Sequence, residues 1–293
     1  MPVTFRPGRL APDRTKPRMM LRPHLPAAGP PPVTVDWYSG ITDWPMYGND
    51  SWGDCVEAEM GHGEQALSFY GGHNLVTVDE ESVIAAYSDI AGFDPKAGPP
   101  GRNPTDQGTL IQDAMSYWRK TGIAGHRIAA FAEVSVADMT EVKTTLALFG
   151  PLSIGINFPS SAMDQFNNGE PWDVARRATV EGGHCVALVG YDSEYLHVVT
   201  WGRVQTMTQA FWNRYVEEAW TPISTEWVDS ATRLDPAGVD LAGMGEEFTS
   251  LTGEANPFQP GPAPEPPPTP PSGCLGQLLD ELRGLITKYS GKN

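Results

Sequence analysis

Cysteine is scarce in this chain. Three occur in 293 residues, at 55, 185 and 274, and an odd count in so long a chain gives no disulfide framework. None of the spacings is a CxxC, and no His/Cys group has metal-ligand spacing, so neither a structural zinc nor any cofactor is expected. Long apolar runs are missing as well. With no stretch of about 18 apolar residues, nothing is expected to span a membrane. Residues 1–25 are basic but hold no apolar core of a secretory signal, which gives a cytoplasmic expectation, with virion association as the alternative. Cations are the minority charge: 20 Lys and Arg stand against 36 Asp and Glu, for a net charge of −16. That balance is uneven. Residues 1–35 carry Arg6, Arg9, Arg14, Lys16, Arg18 and Arg22 against Asp13, a net of +5 that leaves the remainder at −21. An acidic body disfavours nucleic acid as a partner of the folded domain. The basic arm is expected to lie on that body or in solvent.

What is present is enough for a folded protein: 40% hydrophobic residues and nine Trp. Residues 1–35 are Pro-rich without periodicity and read as an extended arm. A compact domain is expected over 36–250, a Pro-rich linker over 251–273, and a short amphipathic docking helix over 274–293. The stripe Leu275, Leu278, Leu279, Leu282, Leu285, Ile286 and Tyr289 on that last helix suggests a protein partner or self-association. Within the domain, helices are expected over about 53–70, 78–91, 110–118 and 136–149. Strands are expected over 128–133, 152–158, 184–191 and 196–201, and a further helix is read across 207–220. Helices first and strands later is the order of an α+β protein with two lobes.

Two tracts carry chemistry. Asn49-Asp50-Ser51-Trp52-Gly53-Asp54-Cys55 places a thiol where an Ala/Glu/Met-rich helix starts, and a helix N-terminus stabilises a thiolate. Gly182-Gly183-His184-Cys185-Val186-Ala187-Leu188-Val189-Gly190-Tyr191 reads as a buried strand that can hold an imidazole beside that thiol. Cys185 should point to the opposite face from His184 and join the core, and His62, two helical turns beyond Cys55, reads as structural.

At these residues the chain resembles the papain-like cysteine peptidases, over roughly residues 36–235, and most of all their uncharacterised bacterial and phage-borne members. Asn49 and Gly53 stand where that family has a Gln six residues and a Gly two residues before its nucleophile. Asp106-Gln107-Gly108 looks like the family's substrate loop. Pro151-Leu152-Ser153-Ile154-Gly155-Ile156 looks like its Pro-Val-Ser-Val strand, and Val199-Thr200-Trp201-Gly202 like its Asn-Ser-Trp-Gly motif. His184 follows Cys55 by 129 residues, close to the roughly 130–150 of that family. The resemblance implies a two-lobed fold, a helical lobe with the Cys helix and an antiparallel β lobe with the His strand. It implies a Cys55–His184 dyad, with Asn49 as a further oxyanion donor, Gly53, Gln107, Gly108 and Gly155 at the substrate, and Trp201 over the imidazole.

The family's imidazole-orienting Asn falls on Val199, which cannot hydrogen-bond, and the adjacent Thr200 is expected to face the other side of its strand. The reading that follows is a cysteine hydrolase working through an acyl-enzyme on a peptide or protein substrate, a peptidase or an amidase. The competing reading is a non-catalytic papain-fold interaction protein, such as a phage virion or assembly component.

Overall fold

The computed structural model describes residues 6–25, 30–225, 227 and 239–258. The Pro-dense tract and the amphipathic stripe expected beyond it lie outside the described residues, as does Cys274.

Helix α1 (Cys55–Ala66) is buried along its whole length, and a final wider turn, Leu67–Gly71, carries it to the Gly71-Gly72 stop. Its polar residues are met individually: Ser153 Oγ donates to Glu59 Oε2 at 2.5 Å, His62 Nε2 lies 2.8 Å from Pro45 O, and Gln65 Nε2 donates to Asp43 O at 3.0 Å. A buried helix can hold these groups because each has such a partner, while Glu57, as deeply buried, is pushed by burial toward its neutral form. Helix α2 (Glu80–Ala91) starts at Asp79, whose side chain accepts from Ser82 N, and stops at the left-handed Gly92. Helix α3 (Ile111–Lys120) packs Ile111, Ala114, Met115 and Trp118 inward, the face its sequence spacing predicts.

Strands from both halves of the chain make one seven-stranded antiparallel sheet. Its strands are β1 (Val35–Asp36), β2 (Ala130–Val134), β3 (Leu152–Pro159), β4 (Val180–Tyr191), β5 (Leu196–Thr200), β6 (Arg203–Met207) and β7 (Val216–Ile223). The order is β2-β7-β3-β4-β5-β6, with β1 added to β4. Helices α4 (Met139–Phe149), α5 (Ser160–Asn168), α6 (Gln209–Tyr215) and α7 (Leu241–Thr252) complete the described elements. The core that joins α1 to the sheet contains Cys55, Val56, Met60, Trp118, Cys185 and Trp220.

One expectation is corrected. The tract 207–220 is not one helix: α6 ends at Tyr215, and residues 216–223 form β7, inserted between β2 and β3. Glu217 and Glu218 favour helix locally, but pairing on both edges of β7 outweighs a propensity term of a few tenths of a kcal/mol per residue. The arm does lie on the acidic body. Arg14 and Arg18 both pair with Glu133, Lys16 with Asp113 and Arg22 with Asp138.

Candidate active site

Cys55 is the first residue of α1, so its thiol sits where the free backbone amides and the positive end of the helix dipole converge. The chain reaches that point through a tight turn, with Ser51 N and Trp52 N both donating to Gly48 O, at 2.8 and 3.0 Å. Asn49, buried in the same turn, donates from Nδ2 to Asp54 Oδ1 at 3.0 Å and makes a longer 3.5 Å contact to Trp52 O. Cys55 and Cys185 share one buried cluster, and the Cys185 backbone amide helps to hold the Cys55 thiol pKa down. Cys185 follows His184 on β4, so the tip of α1 packs on the strand that carries the imidazole.

His184 is fully buried, with Nε2 2.8 Å from Thr200 Oγ1. The expectation that Thr200 faces away is overturned by the sheet register. Ala187 pairs with Val199, which sets Thr200 opposite Val186, and Val186 shares a face with His184 two residues earlier. His184 and Thr200 are therefore diagonal neighbours on one face, within reach of a side-chain hydrogen bond. Val199 points the other way, into a cluster with Ile41, Trp44 and Ala187.

The Trp201 ring stacks on the imidazole, with centroids 4.3 Å apart and planes at 13°. Trp201 and Gly202 are the two-residue turn between β5 and β6, both at positive φ, 45° and 74°. A left-handed tryptophan is a costly conformation, and here it lays the indole over the candidate base. Phe158 and Phe166 stand edge-on around the same indole, at 5.7 and 4.8 Å.

Burial pushes the Cys55 thiol pKa up, and Glu57 and Asp54 add to it, while the Cys185 amide and Arg9 pull the other way. Burial also pulls the His184 imidazole down to about 3, and the Arg9 charge acts in the same direction. With the site closed, both partners are neutral.

What closes it is the chain's own arm. Gly8 N and Arg9 N both donate to Gly183 O, at 3.2 Å each. Thr109 N donates to Gly8 O at 2.7 Å, and Leu10 N to Thr109 O at 2.9 Å, a parallel rung between Arg9 and Thr109. Residues 7–10 thus pass between Gly53 on one wall and Gly183 on the other, joined to Thr109 by a single bridge at Arg9. At Gly183 a Cβ would stand 2.0 Å from Arg9 O, so this approach requires glycine.

The Arg9 side chain turns inward. Nη1 donates to Glu218 Oε1 at 2.7 Å, and Nη2 to Glu217 Oε2 at 2.8 Å and to Asn157 Oδ1 at 3.0 Å. Burial works against the Arg9 charge, but hydrogen bonds and attraction from Glu217 and Glu218 outweigh it and leave the pKa raised.

No protein-family model and no curated protein matches the sequence. Solved structures do match. Xylellain, a cysteine protease from Xylella fastidiosa, superposes with a TM-score of 0.55 at 17% identity, covering 74% of this chain and 96% of that one. Digestive procathepsin L 3 from the larval midgut of Tenebrio molitor gives 0.54 at 15%, covering 70% and 73%. The ragweed pollen allergen Amb a 11, a cysteine protease in its proform, gives 0.51 at 18%, covering 68% of each. The chain has the papain-like cysteine protease fold.

Within this papain-like frame, Gly53, Gly108 and Gly155 all touch the arm: a Cβ would meet Gly8 Cα, Gly8 O and Arg9 Cδ respectively. Gln107 is exposed beside the groove, its amide donating to Pro104 O at 2.9 Å. The loop that holds Gly108 is fixed from below, with Tyr87 O–H donating to Asp106 Oδ1 and accepting from Gly108 N, both at 2.8 Å. Four residues escape the sequence reading: Thr200, Arg9, Glu217 and Glu218. Thr200 becomes findable only once the β4–β5 register is known. A helix across 207–220 gives Glu217 and Glu218 no role at the site, whereas in β7 both reach the Arg9 guanidinium, Glu218 from the buried side and Glu217 from the more open one.

Proposed function

We propose that this chain is a cysteine hydrolase acting on peptide bonds, with Cys55 as nucleophile and His184 as base, held latent by residues 7–10. The observation that carries the reading is the imidazole fixed through Nε2 on Thr200 Oγ1, on the strand whose next residue, Cys185, packs in one cluster with Cys55. With its proton on Nε2 donated to Thr200, the ring leaves Nδ1 to take the thiol proton. The thiolate then attacks the substrate carbonyl, and the oxyanion is held by the Cys55 N–H and the Asn49 amide. Asn49 has one Nδ2 hydrogen anchored on Asp54, and its other meets only the long contact to Trp52 O. The imidazolium returns its proton to the leaving amine, and water releases the acyl group. Gly53, Gly108 and Gly155 line the bound peptide, Gln107 stands at the rim, and Trp201 keeps water from the imidazole. The C-terminal stripe 274–293 serves association with a partner or a second copy, and its removal leaves this chemistry unchanged.

The latent state follows from electrostatics. An arm that excludes water disfavours both the thiolate and the imidazolium, and the Arg9 charge further opposes the imidazolium while it favours the thiolate, so burial is what holds the site neutral. The test is the pH dependence of alkylation at each thiol, read by peptide mass spectrometry. In the unaltered chain Cys55 should react slowly. Arg9→Ala should make it react fast well below pH 8, and His184→Ala on that background should abolish the gain. The second reading, a non-catalytic binding module, draws on the full burial of Cys55 beneath the chain's own segment. A Cys55 that stays inert with Arg9 replaced would decide for it.

A further inference from the structure

We propose that Tyr87 and Asp106 are positioning residues that lock the turn presenting Cys55 to the loop presenting Gly108, so that nucleophile and substrate main chain meet in register. The inference rests on the hydrolase reading and assigns to it two side chains that lie behind the groove.

The two segments have no covalent link, for neither 49–54 nor 104–110 contains a cysteine. One continuous chain of hydrogen bonds joins them instead. Gly53 N donates to Asp106 Oδ1 at 3.0 Å, Tyr87 O–H donates to the same oxygen at 2.8 Å, and Gly108 N donates to the Tyr87 hydroxyl at 2.8 Å. A carboxyl oxygen has lone pairs for both donors, and a phenol donates and accepts at once. Tyr87 is fully buried, so a bond lost here leaves a polar atom without water to replace it. Burial pushes the Tyr87 hydroxyl pKa up, and the Asp106 bond adds to the rise against the opposite pull of the Gly108 amide. The proton that reaches Asp106 therefore stays in place at any pH where a thiol ionises.

Packing backs both ends of this chain. The Tyr87 ring stacks on Phe93, with centroids 4.6 Å apart and planes at 23°, and Phe93 meets Trp52, the residue before Gly53, at 5.0 Å. Asp106 is fixed by its own loop, where Asn103 donates through Nδ2 to Asp94 O at 2.7 Å and accepts from Thr105 N at 2.9 Å. A Cβ on Gly53 would stand 2.9 Å from both Asp106 Oδ1 and Pro7 O, so only glycine fits between the clamp and an occupied groove. Gly8 touches both segments, packing on Gly53 and accepting from Thr109 N at 2.7 Å. A substrate main chain in the same place meets the spacing that the clamp sets. Misplacement by about 1 Å is enough to cost about 10²-fold in rate.

The test is amide hydrogen exchange of the full chain, read by peptide mass spectrometry over 49–54 and 104–110. Tyr87→Phe removes the hydroxyl and keeps the ring on Phe93. It should speed exchange in both segments at least about tenfold while α2 stays protected. Asp106→Ala should do the same, whereas Asp106→Asn, whose Oδ1 still accepts from both donors, should stay within about twofold of the unaltered chain. Acceleration of 104–110 alone, of neither segment, or of α2 in both variants would overturn the proposal. A second readout concerns the nucleophile on the Arg9→Ala background. There Tyr87→Phe should slow Cys55 toward acetyl-Gly-Leu chloromethyl ketone about tenfold and leave iodoacetamide within about twofold, because only the peptide reagent spans both segments. An equal loss toward both reagents would count against positioning. A Cys55 inert to both would defeat the hydrolase reading, and the exchange result would still decide the clamp.

Discussion

At the scale of single residues, the Thr200 hydroxyl holds the imidazole, while Val199 beside it points into the opposite cluster. The Thr200–His184 bond joins neutral groups, and such a bond contributes about 1 kcal/mol net, or roughly five- to tenfold in rate. On the Arg9→Ala background, Thr200→Val should therefore slow Cys55 alkylation about five- to tenfold, and Thr200→Ser should restore it. The measurement is the second-order rate at fixed pH, and an unchanged rate would remove Thr200 from the mechanism. Asn49 separates from Thr200 by reaction type, because alkylation builds no oxyanion. Asn49→Ala should cost about 10²–10³ in peptide hydrolysis while leaving the alkylation rate alone. A parallel fall in both would mean that Asn49 only shapes the turn around Asp54.

At the scale of elements, β7 and the arm decide how the groove is used. β7 brings Glu217 and Glu218 to the groove because it is paired on both sides, to β2 and β3. The arm is held by main-chain rungs on loops that themselves cannot shift, since Tyr87 fixes Asp106 and Gly108 together. Gly183→Ala should expel it, for the new Cβ would meet Arg9 O at 2.0 Å. The expected outcome is faster Cys55 alkylation with rapid proteolysis between residues 6 and 14. An arm that stays protected in this variant would contradict the packing described. Helix α1 contributes differently: its N-terminus supplies the dipole, while its buried acids Glu57 and Asp54 oppose a thiolate. Glu57→Gln should consequently lower the pH at which Cys55 becomes reactive, measured by the same alkylation profile.

At the scale of the whole molecule, buried titratable groups set a two-sided pH response. His184 and His62 have pKa values pulled by burial to about 3 and about 4, below 6.5. The unfolded chain binds those protons first, so their contribution is present above 6.5 and is lost as pH falls toward 4 and 3. Glu57 and Glu59 are pushed by burial to about 8, from 4.5. The folded chain keeps those protons longer, so their contribution is complete below 4.5 and is lost as pH rises through 8. Asp54 is pushed up by burial in the same sense, so three acids oppose two histidines between about 4.5 and 6.5. The thermal midpoint should decline gently with pH across that window, fall more steeply above 6.5, and fall again as pH drops through 4 and 3. Glu59→Gln should shallow the alkaline decline in calorimetric scans and leave the acid limb as it is. An unchanged alkaline limb would mean that Glu59 is ionised in the fold.

Much of this architecture follows from local pattern. The helix at Cys55, the amphipathic α3, the capped α2 and the strand around His184 are written in spacing, in capping residues and in an unbroken apolar run. Such signals survive in isolation because each rests on contacts within a few residues. The order of landmarks from Asn49 to Trp201 was enough to point to the papain-like fold. What the sequence left open depends on which strand faces which. The partner of His184 follows from the pairing of Ala187 with Val199, and a shift by one residue reverses every face. Residues 216–220 read as the end of a helix and become strand because two neighbours complete their hydrogen bonds. Arg9 meets Glu218 across 209 positions of chain, a contact no local pattern encodes. Tertiary structure alone decides it, because only the assembled sheet buries the Glu218 carboxylate deep enough to require that cation.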